Sequence, residues 1–332
     1  MRAAWYRSTG PAASVLTIGD LPAPEPAPGE VLVRVRASGI NPSDLKRRAG
    51  WRGMAMDHDL VVPHSDGAGE IAAVGDGVSA ERIGEPVWLW NAQGGYNEPG
   101  RSLGTAADFC ALPAAQAVPL PDGLTFADGA CLGVPALTAH RAVFADGPVA
   151  GQTILVAGAA GAVAHFAVQF AAQGGAKVIG TVSGEEKARH ARAAGAAETI
   201  NYREEDVAAR VLDLTDGADV DRIIEVDFAA NLAIDCEVIK PNGVIASYSS
   251  TSDPEPVLPY YALAFKGVNV RFVQGFNLPE NARQAGIEAI DRLATNGTLQ
   301  VAVAERFPLD RIAAAHEAAE AGAIGTVVVE ID

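Results

Sequence analysis

Gly158 and Gly161 stand three positions apart where an apolar run gives way to an alanine-rich helical pattern, in the stretch ILVAGAAGAVAHFAVQFAA from Ile154 to Ala172. A strand, a glycine turn and a helix in that order bring backbone N–H groups and a helix N-terminus to one point. That arrangement suits an anionic diphosphate. The turn has three demands to meet: one glycine to reverse the chain, a second to let the backbone approach the ligand, and a small residue to pack the helix on the sheet. Gly158 and Gly161 meet the first two. Ala164 meets the third, because packing asks for smallness and not for a positive φ. Gly158, Ala159, Ala160, Gly161, Ala162 and Val163 are therefore expected to cradle the pyrophosphate of a dinucleotide, with a purely structural turn as the alternative.

The end of the following strand should select the nucleotide. An NAD site usually places Asp or Glu there to hold the ribose 2′-hydroxyl. This chain reads VIGTVSGEEKAR, with no acid at Thr181, Val182 or Ser183. The Ser183 hydroxyl and the Lys187 ammonium suit a 2′-phosphate, so NADP(H) is expected over NAD(H). Ser183 with Glu186 also reads as a helix capping box, and Glu185 and Glu186 weigh mildly against a nearby phosphate.

Other chemistry is thinly represented. Cys110, Cys131 and Cys236 are too few and too scattered for a disulfide framework. The stretch MDHDLVVPHSD gathers Asp57, His58, Asp59, His64 and Asp66, but the apolar LVV between the pairs should hold them apart, and no metal site is expected. His165, His190 and His316 fall in helical patterns and read as surface or packing residues. Neither SYSS nor TVSG has the glycine frame of a nucleophile turn.

The elements around these residues set the architecture. GEVLVRVRASGI alternates apolar and basic residues, the period of a half-buried strand, and follows the proline-rich connector LPAPEPAPGE. Residues up to about 120 read as an irregular, mostly β domain. Beyond Phe126 strands and helices alternate: TILVAG, a helix from about Ala162, AKVIGTV, a helix after Ser183, VDRIIEV, a helix around Asn231–Ile239, GVIASYS and NVRFVQ. Such alternation means a parallel, doubly wound sheet. A helix over ENARQAGIEAIDRLATNG, a short strand, another helix and the strand GTVVVEI close the chain and should return to the first domain.

At 332 residues, with 49% hydrophobic and 20% charged residues, the chain suits two soluble globular domains. A net charge of −16 argues against nucleic acid and against an anionic membrane surface. The start, MRAAWYRSTG, lacks the apolar core of a signal peptide, and no stretch is apolar enough to span a bilayer, so a cytoplasmic protein is expected.

Read together, these residues resemble the zinc-independent medium-chain dehydrogenases/reductases, in the branch of NADPH:quinone oxidoreductases related to ζ-crystallin. The resemblance runs along almost the whole chain. It is carried by GEVLVRVRASGINPSDLKRRAG, VVPHSDGAGEIAAVGDGV, PALTAHRAV, GAAGAVAHFAVQFA, SGEEKARHARAAGA, INYREEDVAARV and GTVVVEID. It implies an α/β protein with a GroES-like β-rich catalytic domain over 1–124 and 277–332, and a Rossmann doubly wound parallel sheet over 125–276 that binds NADP(H). The 2′-phosphate pocket would fall on Ser183, Lys187 and Tyr202, and the nicotinamide end near Asn41 and Thr138. Ser247, Tyr248 and Ser249, with Phe272, Val273 and Gln274, would border the cofactor cleft.

The chain departs from its look-alikes in several places. They commonly read Gly-Gly-Val-Gly at the turn, where this chain has Gly161-Ala162-Val163-Ala164, and many carry Tyr at the position of Lys46. A basic residue near AGAIGT is missing, and NAQGGYNEPGRSLGT is longer than usual and is expected to shape the substrate entrance. The catalytic zinc ligands of the related alcohol dehydrogenases would fall on Asn41, Ser65 and Val134, none of which suits that geometry. A structural zinc would need four cysteines.

Without a metal to polarise a carbonyl, such a site suits acceptors already activated for hydride: quinones, or double bonds conjugated to a carbonyl. Asn41 and Lys46 are the expected catalytic residues, meeting developing oxyanion charge, with water as proton source and a solvent-pointing Lys46 as the alternative. An enone or enoyl-thioester reductase and a non-catalytic NADPH-binding protein are the alternatives. Substitution at Ala162 and Ala164 favours the latter. The strand NVRFVQ, exposed at a sheet edge, would pair with its mate in a homodimer.

Overall fold

The computed structural model describes residues 1–94 and 100–332. Part of the stretch expected to shape the substrate entrance, residues 95–99, lies outside them. The chain forms two compact units, Met1–Pro135 with Ile290–Asp332, and Ala136–Ala289. Both bounds lie somewhat later than the domain limits expected from the sequence. They fall inside the helices Gly133–Phe144 and Glu280–Thr295.

In chain order the strands are β1 (Arg2–Trp5), β2 (Thr17–Asp20), β3 (Glu30–Gly39), β4 (Asp66–Val74), β5 (Pro86–Leu89), β6 (Phe109–Pro113), β7 (Ala117–Pro119), β8 (Thr153–Val156), β9 (Lys177–Val182), β10 (Glu198–Asn201), β11 (Val220–Glu225), β12 (Ile239–Ser247), β13 (Asn269–Phe272), β14 (Val303–Pro308) and β15 (Thr326–Glu330).

The first unit is built on a seven-stranded sheet, six strands in the order β14-β15-β3-β4-β5-β7 and a seventh, β6, paired to β3. Its alternating pattern is realised in β3, where Val31, Val33 and Val35 are all fully buried. The C-terminal strand β15 pairs antiparallel with β3, so the tail does return to this unit. The β3–β4 register sets Gly39 opposite Asp66 and thereby brings the Asp66 carboxyl beside the loop that follows β3.

The second unit is a six-stranded, all-parallel sheet in the order β10-β9-β8-β11-β12-β13. The chain runs outward from β8 to β10 and then crosses back to β11. The strand order therefore reverses at the C-terminal ends of β8 and β11, where open parallel sheets take their ligands. The inner strands are apolar on both faces because helices cover both, as parallel sheets require. Gly180 in β9 sits where a Cβ would come within 2.7 Å of the Ala159 methyl, so close strand-to-turn packing needs glycine there.

The predicted elements differ from the structure at a few places. The helix expected around Asn231–Ile239 runs from Phe228 to Val238, and Ile239 already belongs to β12. The strand β10 and the helices Val207–Leu214 and Tyr260–Lys266 were not expected, because each is too short to show a clear period in the sequence. The Ser183–Glu186 capping box does not form: Gly184 occupies the N-cap of the helix Glu185–Ala193, without a side-chain cap. His165 and His316 are buried, the packing role of the two alternatives expected for them.

Candidate functional site

In the second unit, β8 ends in the turn Gly158–Gly161, and the helix Ala162–Gln173 starts directly from it. Gly158 has φ +62, in the left-handed region that favours glycine, and its N–H donates to Thr181 Oγ1 at 3.0 Å. Gly161, exposed, is the N-cap with extended backbone. The helix then offers first-turn N–H groups that an α-helix cannot satisfy internally. Ala164 is 1% exposed and packs inward, the role of the third small residue; of the two departing methyls only that of Ala162 lies half-exposed at the turn.

Two recesses lie at the C-terminal ends of the strands of this unit, and Gly158 lines the first. The first, of about 690 Å³, is lined by Gly158, Thr181, Tyr202, Glu225, Asp227 and Asn231, among others. Buried carboxyls from β11 and the following helix form part of its wall. Glu225 receives the Asn231 amide at 2.9 Å, and burial raises both Glu225 and Asp235 above the usual carboxylate range. The second recess is lined by Ser183, Arg192, Thr199 and Arg203 together with the carboxylates of Glu185 and Glu204, and Glu205 lines both.

Of the residues expected at a 2′-phosphate, Ser183 lines the second recess and Tyr202 the first, while Lys187, half-buried on the helix, lines neither. The cations that do line the second recess, Arg192 and Arg203, were not expected. Arg192 is tied to Thr199 Oγ1 at 2.6 Å and to Glu185 at 3.3 Å. Arg203 is exposed, with no ion pair among the described residues. The signal for Arg203 was its place in NYREED, directly after a strand end.

Ser247 closes β12 and donates to the Ser249 carbonyl at 3.1 Å, while the Tyr248 N–H donates to the Glu225 carbonyl at 3.1 Å. The Val273 N–H donates to the Ser247 carbonyl at 2.8 Å, so these two segments run side by side at the C-terminal edge of the sheet. Phe272 is 72% exposed and Gln274 is exposed. Thr138, on the helix Gly133–Phe144, is buried, and its hydroxyl has no hydrogen-bond partner among the described residues.

In the first unit, Asn41 is the N-cap of the helix Pro42–Ala49 and is 2% exposed. Its amide Nδ2 donates to Asp66 Oδ2 at 2.8 Å, and the Val134 N–H donates to the same oxygen at 2.8 Å. Burial lifts the Asp66 carboxyl to about 8 and that of Asp44, in the first turn of this helix, to about 6. Asp44 accepts from the Asn41 N–H at 2.8 Å and from the Ser65 hydroxyl at 3.3 Å. Asn41, Ser65 and Val134, the three positions of the alcohol dehydrogenase zinc ligands, are thus drawn into one hydrogen-bonded carboxyl cluster. An amide, a hydroxyl and a valine do not form a zinc-binding donor set. Among the described residues no group of three or more His, Cys, Asp and Glu side chains is placed to hold a metal. Lys46, on the same helix as Asn41, sets its ammonium 4.7 Å from the centre of the Trp51 ring.

The alcohol dehydrogenase GroES-like domain family matches residues 27–122, and the zinc-binding dehydrogenase family matches residues 162–294. A quinone oxidoreductase of Pseudomonas aeruginosa is 33% identical over 91% of this chain and 91% of its own length. A 2-haloacrylate reductase from a Burkholderia species is 30% identical over 88% of this chain and 87% of its own. A mycobacterial protein solved in complex with NADPH is 28% identical, with a TM-score of 0.86 and full coverage of both chains. With two matched domains in family order and this identity along nine-tenths of its length, the chain belongs to the medium-chain dehydrogenase/reductase family, among the quinone oxidoreductases.

Proposed function

We propose that the protein is an NADPH-dependent reductase that delivers hydride to a quinone without help from zinc. The observation that carries this reading is the turn Gly158–Gly161 at the strand-order reversal, beside a recess lined by Ser183, Arg192 and Arg203. Its N–H-rich helix start suits a pyrophosphate, and the two guanidinium groups suit a 2′-phosphate. The mycobacterial relative solved with NADPH supports the same cofactor.

When bound, the nicotinamide supplies the hydride. The chain's residues supply orientation and charge. The Asp66 carboxyl fixes the Asn41 amide, so an amide N–H is pre-set for a carbonyl oxygen that gains negative charge. Lys46 adds a cation from the same helix. A quinone that takes one hydride needs one further proton to become the hydroquinone, and water provides it. The carboxyl-bound cluster at Asn41, Ser65 and Val134 supports the absence of zinc from this chemistry. Titration with NADPH and NADH, followed by cofactor oxidation on adding 1,4-naphthoquinone, tests the reading. Asn41→Ala should lower kcat/KM at least tenfold while leaving NADPH affinity largely intact. No binding of either nucleotide would overturn the proposal.

The relative that reduces 2-haloacrylate favours a second reading, reduction of a carbon–carbon double bond conjugated to a carboxyl or carbonyl group. Rates on a quinone and on a conjugated enone under one condition separate the two. We further propose a homodimer and a cytoplasmic location. Support for the dimer is the edge position of β13 in its sheet, and for the location that no described helix is long and apolar enough to cross a membrane.

A further inference from the structure

Glu225 ends β11, and Asp235 stands on the helix Phe228–Val238 that follows it; both are buried. Both carboxyls line the recess that Gly158 also lines. Asn231 and Asp235 are four residues apart, so they share one face of the helix, one turn from each other. That face is turned to the strand end, because the Asn231 amide donates to Glu225 Oε1 at 2.9 Å. The Asp227 N–H donates to the same oxygen. Glu225 Oε1 therefore has two donors. Glu225 Oε2 and Asp235 Oδ2 are sealed from solvent and have no hydrogen-bond partner among the described residues.

A buried carboxylate oxygen without a partner is strongly unfavourable, and two ionised groups on one recess repel as well. Cations do not relieve them: among the described residues no Lys, Arg or His lines this recess. The cations of the packed elements are engaged elsewhere. Arg210, on the helix Val207–Leu214, pairs with Glu205 and Asp213, and Lys240, in β12, pairs with Asp221. Lys266 donates to the Glu237 and Ile239 carbonyls, and Arg222, in β11, to the Val143 carbonyl. The other titratable groups around the pair are acidic or neutral. Tyr202, Glu205 and Asp206 line the recess after β10, and Asp227 and Glu237 line it from the two ends of the helix. Burial and then the Glu225 charge push the Tyr248 hydroxyl up, and burial and then the Asp235 charge push the Cys236 thiol up.

One proton satisfies both bare oxygens, since a protonated carboxyl donates and an ionised one accepts. Burial raises both carboxyls, and the Glu225 charge raises Asp235 further. Two N–H bonds to Oε1 make Glu225 the better anion, so Asp235 is the acid of the pair. We infer that Asp235 keeps a proton on Oδ2 and donates it to Glu225 Oε2, a one-proton latch between β11 and the helix Phe228–Val238 that ties NADPH affinity to pH. Loss of the proton sets two carboxylates against each other in a dry site and drives the helix from the strand end. The helix supplies Ala230 and Ile234 to the recess, which Val207 and Ala208 also line. Apolar side chains and acids without a cation suit the uncharged base of a dinucleotide and not its phosphates. The cofactor half of the inference rests on the NADPH reading above; the latch itself does not.

Folding and cofactor binding are measured separately, so that the two ideas fail separately. Denaturant melts compare the full-length wild type with Asp235→Asn and Glu225→Gln. Each variant replaces the shared proton by an amide N–H that alkali does not remove. The folded wild type holds a proton that the unfolded chain has released above the ordinary carboxylate range, so its stability falls as pH rises. The folding constant of either variant relative to wild type should therefore rise by up to about tenfold per pH unit between pH 5.5 and 8.5. Asp44, Asp66 and the histidines titrate in all three proteins and cancel. One folded variant suffices for the comparison, and a ratio that does not change with pH would overturn the latch. The Kd for NADPH is then read by fluorescence titration. From pH 6.5 to 8.5 it should rise about tenfold more in wild type than in the variants, the phosphate of the cofactor titrating alike in all. Parallel profiles would overturn the link to the cofactor. A changing folding ratio without NADPH binding at any pH would sink the cofactor reading and leave the latch standing.

Discussion

His64 Nε2 and His316 Nε2 lie 2.9 Å apart where neither residue touches solvent, and the surrounding hydrogen bonds fix which ring holds which proton. The Asp66 carbonyl can only accept, so Thr105 donates to it at 2.6 Å. Ser38, 2.7 Å from Thr105, must then donate to Thr105 and accept from His64 Nδ1–H at 2.8 Å. His64 Nε2 is left bare, and His316 Nε2–H donates to it. Two neutral imidazoles thus end a one-way chain that holds the start of β4, the strand that carries Asp66. His64 makes these bonds at φ 78, a conformation that glycine adopts far more easily.

Stability should therefore respond to acid through this pair. Burial holds His64 well below its usual value and His316 at about 3, with the nearby Arg48 lowering the latter further. Unfolded, both take up protons near pH 6.5. Between those values the unfolded chain binds more protons, so the pair's contribution is complete above pH 6.5 and is lost as pH falls. Asp44 and Asp66 act in the opposite sense, since their raised values favour the protonated fold as pH drops. The difference between wild type and His64→Gly/His316→Leu isolates the histidines. The variant should be less stable at pH 7.5. Its deficit should shrink by pH 4.5, at most by about 1.4 kcal/mol per pH unit for each histidine. Denaturant melts at the two pH values check this, and a constant deficit would show that the rings titrate alike folded and unfolded.

The turn makes a second demand that can be measured. A methyl at Gly158 would meet Val226 Cγ1 at 3.3 Å and would force an L-residue to φ +62. Gly158→Ala should cost about 1–2 kcal/mol of stability and weaken NADPH roughly tenfold by fluorescence titration. Ala162→Gly removes the one half-exposed methyl of the turn and should bind NADPH at least as tightly as wild type. Tighter binding by more than tenfold would mean that Ala162 handicaps the natural site.

The sequence exposed the parts of this molecule that rest on strong local periodicity. The apolar strands β8, β9 and β11 and the helix start at Ala162 follow directly from their residues, because buried parallel strands and small-residue turns leave a distinct pattern. The recess at the ends of β9 and β10 was less legible. Lys187 is closer in sequence to the end of β9, but a helix carries its side chain past the recess, whereas Arg203 reaches it from the end of the adjacent strand β10. That adjacency is a property of sheet order and not of spacing. The Asp66 cluster was hidden for the same reason: its partners Asn41 and Val134 are 25 and 68 residues away and meet only through the β3–β4 register and the start of the helix Gly133–Phe144.

Arg203 gives a third prediction. Its guanidinium lines the recess with Ser183 and has no competing ion pair among the described residues. Arg203→Ala should raise KM for NADPH about tenfold, the loss of one charge-assisted contact, and leave KM for NADH unchanged. Steady-state kinetics with both cofactors read the difference. An equal rise for both would assign Arg203 to the fold and not to the phosphate.

The edge of the parallel sheet gives the last prediction. β13 has a partner on one side only, β12, and the outer side of an edge strand offers unpaired backbone groups. Around it the second unit exposes Phe272 at 72%, Tyr260 at 67%, Tyr261 at 68% and Phe265 at 84%. Tyr261 and Phe265 stack with ring centres 5.4 Å apart, so they form a patch and not isolated side chains. Large exposed apolar patches beside an open strand edge mark an association surface. A two-fold pairing of β13 with its mate would bury this edge and the rings together, and two-fold closure leaves no free copy of the β13 edge. Sedimentation should give about twice the 34.2 kDa chain mass for the wild type. Tyr261→Asp/Phe265→Asp should shift it to the single-chain mass, because two carboxylates in an apolar contact go unpaired. A variant that stays dimeric would place the contact elsewhere, and a monomeric wild type would show that the exposed rings serve no self-association.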